Sequence, residues 1–119
     1  VFDDTGQKVV AAVGSPGGSS ILAYNLKTLI GVLDWKLSMQ DAINLPNIVA
    51  RGPSIRVEKA RMDPAIWEGL TTMGYTMTAT SGEESGLNGI LRAADNSFDG
   101  GTDPRRAGVV LKGSDPAEP

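Results

Sequence analysis

The sequence predicts an α+β fold, a mixed sheet covered by helices. Apolar stripes at helical spacing alternate with short strand-like runs, and no regular strand–helix–strand rhythm repeats. Gly and Pro, 15 and 7 of 119 residues, set dense turn signals between these runs. At this length the chain is one domain's worth of material or less. Its 40% hydrophobic and 21% charged residues describe a globular chain with a core.

The elements follow in order. Asp3-Asp4-Thr5-Gly6 is a turn cluster between Val1-Phe2 and Lys8–Val13, a hairpin whose second strand is apolar enough for burial. Gly14-Ser15-Pro16-Gly17-Gly18-Ser19 is the densest turn chemistry in the chain. Leu22, Leu26, Leu29, Ile30 and Leu33 then fall on one helical stripe, with Ser19 as the expected N-cap and Gly31 marking close packing. Ser38-Met39-Gln40-Asp41 opens a second helix that stops at Pro46. Arg51-Gly52-Pro53 turns the chain into Ser54–Glu58, whose alternation predicts a half-exposed strand. Asp63-Pro64 pairs an N-cap with Pro at the first helical position of a third helix. Ile66, Leu70 and Met73 form its expected inner face, Trp67 flanks it and Gly74 ends it. Tyr75–Thr80 reads as a strand, 81–86 as a polar loop, and Leu87–Ala94 and Ala107–Lys112 as two strands joined by a turn-rich stretch. Residues 113–119 are expected to fray.

Composition excludes several chemistries. With no Cys there is no disulfide scaffold, thiolate metal site or cysteine nucleophile, and with no His a Ser-His-Asp hydrolase cannot be built from this chain alone. A net charge of −3 argues against nucleic acid or an anionic membrane as partner, and no apolar run approaches a membrane helix. Arg105-Arg106 is too small a basic patch for nucleic acid. The chain opens Val1-Phe2-Asp3-Asp4, with no Met, basic start or apolar stretch. That opening lacks a signal-peptide pattern and points to a processed or excised piece. Glu83-Glu84 reads as a pair of solvated loop charges rather than a metal or acid/base pair. Asp95, Asp99 and Asp103 lack the spacing and closing Glu of a calcium loop.

The glycine loop carries the chemistry. A strand-to-helix junction presents unpaired N–H groups and the positive end of a helix dipole, and glycines let a ligand reach the main chain. It suits phosphate, carboxylate or an oxyanion, or serves only as a tight turn. Phosphate is weakest: the Walker A positions for Gly and Lys hold Ser19 and Ser20, and Pro16 breaks a G-x-G-x-x-G pattern.

The segment Gly14–Ser19 resembles the signature of gamma-glutamyltranspeptidases, N-terminal-nucleophile hydrolases that cut themselves into two subunits. Met39–Pro46 resembles that family's "QEAVDAPR" stretch, Ile55–Lys59 its "LRVEKG" strand, Leu70–Tyr75 its "LEAKGH" helix end and Gly101–Arg105 its "GASDPR" close. The resemblance implies that residues 1–119 are the C-terminal segment of a small subunit, part of an αββα sandwich. It implies a precursor that opens γ-glutamyl amides such as glutathione through an acyl-enzyme, with no metal or cofactor, in the periplasm or outside the cell. Gly17 and Gly18 would supply oxyanion N–H groups, while Gly14, Ser15 and Pro16 shape the loop. Asp103 and Arg105 match the Asp-Pro-Arg element and are expected to form a structural ion pair.

The departures bound that reading. The family's nucleophile is an N-terminal Thr, and Thr5 lies in a turn, so the nucleophile and the γ-glutamyl-binding Ser pair fall outside this sequence. Ser20 and Asn47 stand where the family often has Arg, and Arg51 is the nearby cation. A cephalosporin-acylase-like relative remains open, as does a free-standing α/β binding or scaffolding domain. The segment alone is expected to be inactive, to need the rest of its precursor, and to self-associate.

Overall fold

The computed structural model describes residues 1–80 and 85–113. Its first strand, β1 (Ala11–Gly14), is shorter than the expected hairpin arm. The expected hairpin reduces to one antiparallel bridge, Phe2 to Val9, because the Asp3 carboxylate collects the Gln7 and Lys8 N–H groups into a local turn. A turn of 3-10 helix (Gly18–Ser20) precedes helix α1 (Ile21–Leu33), so the helix starts later than a Ser19 cap would require. Helix α2 (Met39–Asn44) is capped as expected, the Ser38 hydroxyl oxygen accepting from Asp41 N–H at 3.0 Å. Gly31 does mark close packing: a Cβ there would lie 2.7 Å from Ala42 Cβ, so α1 and α2 meet through it.

A strand not expected from the sequence, β2 (Ile48–Arg51), pairs antiparallel with β3 (Ser54–Val57) through the two-residue loop Gly52-Pro53. Gly52 has φ 74, which the first loop position of a type II′ turn requires. After a second 3-10 turn (Lys59–Arg61), helix α3 (Pro64–Thr72) leads to β4 (Met77–Ala79), which lies parallel to β3. One βαβ unit therefore exists where no such rhythm was expected. Helix α3 ends in a complete Schellman motif, Tyr75 N–H donating to Leu70 O and Gly74 N–H to Thr71 O, with Gly74 at φ 91.

The last two strands correct the turn-based reading. β5 (Asn88–Arg92) pairs antiparallel with β1 on one side and with β6 (Phe98–Thr102) on the other. β6 runs through the stretch expected to be turns, and Ala107–Lys112 is not a strand. Gly100 and Gly101 signalled a turn but serve close approach: a Cβ on Gly101 would lie 2.9 Å from the α2 backbone at Gln40. Gly89, opposite Gly101, would likewise overlap Met39 Sδ. Two three-stranded sheets result, β1-β5-β6 and the mixed β2-β3-β4.

The core joins Tyr24 and Val32 of α1, Met39, Ala42 and Ile43 of α2, Val49 of β2 and Leu87. Of the expected α1 stripe only Leu33 packs against it: Leu22 is 81% and Leu26 59% exposed, and the buried face is Tyr24, Thr28, Gly31 and Val32. The expected inner face of α3 is also mostly outward, with Ile66 54% and Met73 72% exposed and Leu70 half-buried. Leu22, Leu26 and Ile30 of α1 and Ile66 of α3 instead border a groove of about 840 Å³ lined also by Trp35, Pro46 and Ile48.

Candidate functional site

The glycine loop leaves the end of β1 and enters the 3-10 turn ahead of α1. Its backbone conformation is one that only glycine holds easily: φ is 140 at Gly17 and 57 at Gly18. Gly17 is also bare for want of room, since a Cβ would sit 2.5 Å from the Tyr24 ring, whereas Gly18 opens onto free space. Both residues are exposed. Among the described residues, neither the Gly17 nor the Gly18 N–H finds a hydrogen-bond acceptor. Two adjacent free amides at the start of a helical segment are the donors an anion or oxyanion requires. Pro16 and Ser15 shape the approach, the Ser15 hydroxyl donating to Pro16 O at 2.7 Å.

Asp103 and Arg105 are brought together, 3.0 Å apart, with the Asp103 carboxylate almost wholly buried. The same guanidinium grips Glu58 by two donors, at 2.7 and 2.5 Å, and reaches the carbonyls of Ile43 and Leu45. Lys27 Nζ donates to the same two carbonyls, at 2.8 and 2.5 Å, so two cations close the C-terminal end of α2. Burial opposes ionisation of Glu58, yet the Arg105 side chain and Asn47 N–H outweigh it and hold the carboxyl below its ordinary value. Burial likewise opposes ionisation of Asp103, and donors from Ser85, Arg105 and Leu87 hold it low. Lys27 is pushed down to about 7, first by burial and then by the Arg105 charge, against the pull of Asp103 and Glu58.

Sequence reasoning singles out Asn47 only as a departure from the family's Arg, and gives Glu58, Ser85 and Lys27 no part in a site. Lys27 lies in α1, Asn47 between α2 and β2, Glu58 just after β3 and Ser85 ahead of β5, so no local pattern joins them and only the fold brings them together. Asn47, wholly buried, donates its backbone N–H to Glu58 and its side-chain amide to Ser85 Oγ at 2.8 Å. Arg51 donates to Ser19 Oγ, and Arg56 to Ser20 Oγ at 3.0 Å. Thr5 serves its own turn, donating to Asp3 at 2.8 Å. Asp95 is held by Ser97, Asp99 accepts the Met39 N–H at 2.7 Å, and the three aspartates do not converge. Among the described residues no cluster of three carboxylates could hold a metal, and no helix is long and apolar enough to cross a membrane. Glu83 and Glu84 lie outside the described residues.

Residues 1–113 match the model of the family described as gamma-glutamyltranspeptidase. The glutathione hydrolase proenzyme of Pseudomonas sp. (strain A14) is 28% identical over 116 residues, covering 87% of this chain and 20% of that protein. The acylase ACY 1 proenzyme of Pseudomonas sp. (strain SE83) is 24% identical over 93 residues, 78% of this chain and 16% of that one. Among solved structures, Helicobacter pylori gamma-glutamyltranspeptidase superposes with a TM-score of 0.77 at 30% identity, over 89% of this chain and 58% of that chain. The α+β fold is thus that of N-terminal-nucleophile hydrolases. The chain spans a fifth or less of the curated proenzymes it matches. With the glycine loop, the four further resembling blocks and this match over nearly its whole length, the chain belongs to the gamma-glutamyltranspeptidase family.

Proposed function

We propose that this chain supplies the oxyanion-stabilising loop of a gamma-glutamyl hydrolase or transferase whose nucleophile lies elsewhere in its precursor. The observation that carries the reading is the pair of exposed, acceptor-free amides at Gly17 and Gly18. An attacking Thr on a γ-glutamyl amide drives electrons onto the carbonyl oxygen. Two fixed N–H donors stabilise that charge without reorganising during the step. Collapse of the tetrahedral intermediate breaks the C–N bond and expels the protonated amine. The acyl group left on Thr then passes to water or a second amine, restoring the hydroxyl. The Arg105 network holds the loop's surroundings and stays out of the chemistry. The acylase relative supports a second reading of the same step on a different amide, with the loop unchanged in role. By family resemblance the enzyme works in the periplasm or outside the cell.

The test uses the complete enzyme and a γ-glutamyl anilide. Gly18→Val keeps the N–H but displaces it, and acyl-enzyme formation is expected to slow about 100- to 1000-fold with substrate binding little changed. A wild-type acylation rate in that variant reduces the loop to a turn. The isolated 119 residues are expected to release no product. Release that disappears on mutating a residue within them would place a nucleophile in this chain.

A further inference from the structure

The two peptide units that carry the Gly17 and Gly18 N–H groups are each held from behind by their carbonyl. A trans peptide plane points its C=O and N–H in opposite directions, so pinning one aims the other. The Ser15 hydroxyl, donating to Pro16 O at 2.7 Å, aims the Gly17 N–H, which belongs to the same peptide. Ser20 N–H, donating to Gly17 O at 3.1 Å, aims the Gly18 N–H in the same way. The Ser15 hydroxyl is itself located by Gly86 N–H, which donates to it at 3.0 Å. Gly86 is pressed onto Pro16 as well: a Cβ at this position would fall 2.9 Å from Pro16 Cγ. One residue earlier, Ser85 is wholly buried, donates to Asp103 Oδ2 at 2.5 Å and accepts from Asn47 Nδ2 at 2.8 Å. Asp103 Oδ2 also takes the Leu87 N–H at 3.0 Å, so the chain is anchored on both sides of Gly86.

We infer that Ser85 and Gly86 form a brace that positions the glycine loop. Ser85 is a positioning residue: anchored on Asp103, it places Gly86, which places Ser15 and thereby aims the Gly17 amide. The inference rests on the oxyanion reading above. The Ser85 hydroxyl is wholly buried between the Asp103 carboxylate and the Asn47 amide, so its route to the loop runs through Gly86.

Single-turnover acylation and KM are measured on the complete enzyme with Ser15→Ala, Ser85→Ala, the double variant, Ser15→Thr and Gly18→Val. Each alanine variant is expected to lower the acylation rate about 10- to 100-fold with KM unchanged, because misaimed donors act on the transition state. The double variant is expected to be no slower than the slower single, since both residues lie on one path. Ser15→Thr, which keeps the hydroxyl, is expected to recover most of the lost rate. If Ser85→Ala acylates at the wild-type rate while Gly18→Val is slow, the brace is wrong and the loop reading stands. Losses that multiply in the double variant also overturn the brace. A wild-type rate in Gly18→Val removes the loop reading and the brace with it. Should Ser85→Ala not fold, Gly86→Ala, which crowds Pro16, replaces it: slow acylation supports the brace and a wild-type rate overturns it.

Discussion

Gly17 and Gly18 are adjacent glycines with different reasons for having no side chain. At Gly17 an alanine methyl meets the Tyr24 ring and a φ of 140, while at Gly18 it meets only a φ of 57 in open space. Gly18→Ala is therefore expected to cost about 1–2 kcal/mol in stability, the ordinary cost of a left-handed conformation. Gly17→Ala is expected to cost more and to move the loop, as thermal unfolding of the two variants in the complete enzyme measures. Equal losses would remove the Tyr24 contact from the account. Ionisable residues make a second prediction. Folded Lys27 gives up its proton at about 7, while an unfolded lysine keeps it to about 10.5, so between these values the unfolded state binds more protons. Stability is then expected to rise with pH across that window, and Lys27→Met is expected to remove that rise. Glu58 and Asp103 act at the acid end. Held below their ordinary 4.5 and 3.8, they contribute in full above those values and lose the contribution as pH falls through their folded pKa. The glycine loop was legible in the sequence because left-handed turns demand glycine. Glu58 as a second carboxylate on Arg105, and Ser85 on Asp103, were not, because these residues meet only through tertiary packing.

At the scale of elements, the misread stretches share a cause. β6 holds Gly100 and Gly101 because neighbours press on both faces of the sheet, yet the same letters signal turns. Val110 lies against Gly100 without pairing, so Ala107–Lys112 has a strand's composition but no ladder. The two glycines separate by substitution. Gly101→Ala places its methyl 2.9 Å from α2 backbone, which cannot swing away, and is expected to destabilise by about 1–3 kcal/mol. Gly100→Ala meets only the Val110 side chain and is expected to cost less, in denaturant unfolding of the two variants side by side. The caps of α2 and the ends of α3 were legible because Ser38, Asp63-Pro64 and Gly74 act locally. The direction of the α1 and α3 apolar faces was not, because periodicity locates a stripe without saying what covers it.

Across the whole molecule, that uncovered apolar surface is the main departure from a self-sufficient domain. Leu22, Leu26, Trp35 and Ile66 stay largely exposed around one groove, an arrangement that favours association. The isolated chain is expected to self-associate at micromolar concentration or to fold only marginally, as sedimentation equilibrium and thermal unfolding report. A monomer with a sharp, concentration-independent transition contradicts this. The central claim is that the Gly17 and Gly18 amides stabilise a developing oxyanion, and differential affinity measures it most directly. The complete enzyme and its Gly18→Val variant are titrated with a tetrahedral γ-glutamyl phosphonate and, separately, with glutamate as a ground-state ligand. The account predicts that the variant loses about 100-fold or more in phosphonate affinity and almost none for glutamate. Equal affinity of both enzymes for the phosphonate would contradict it.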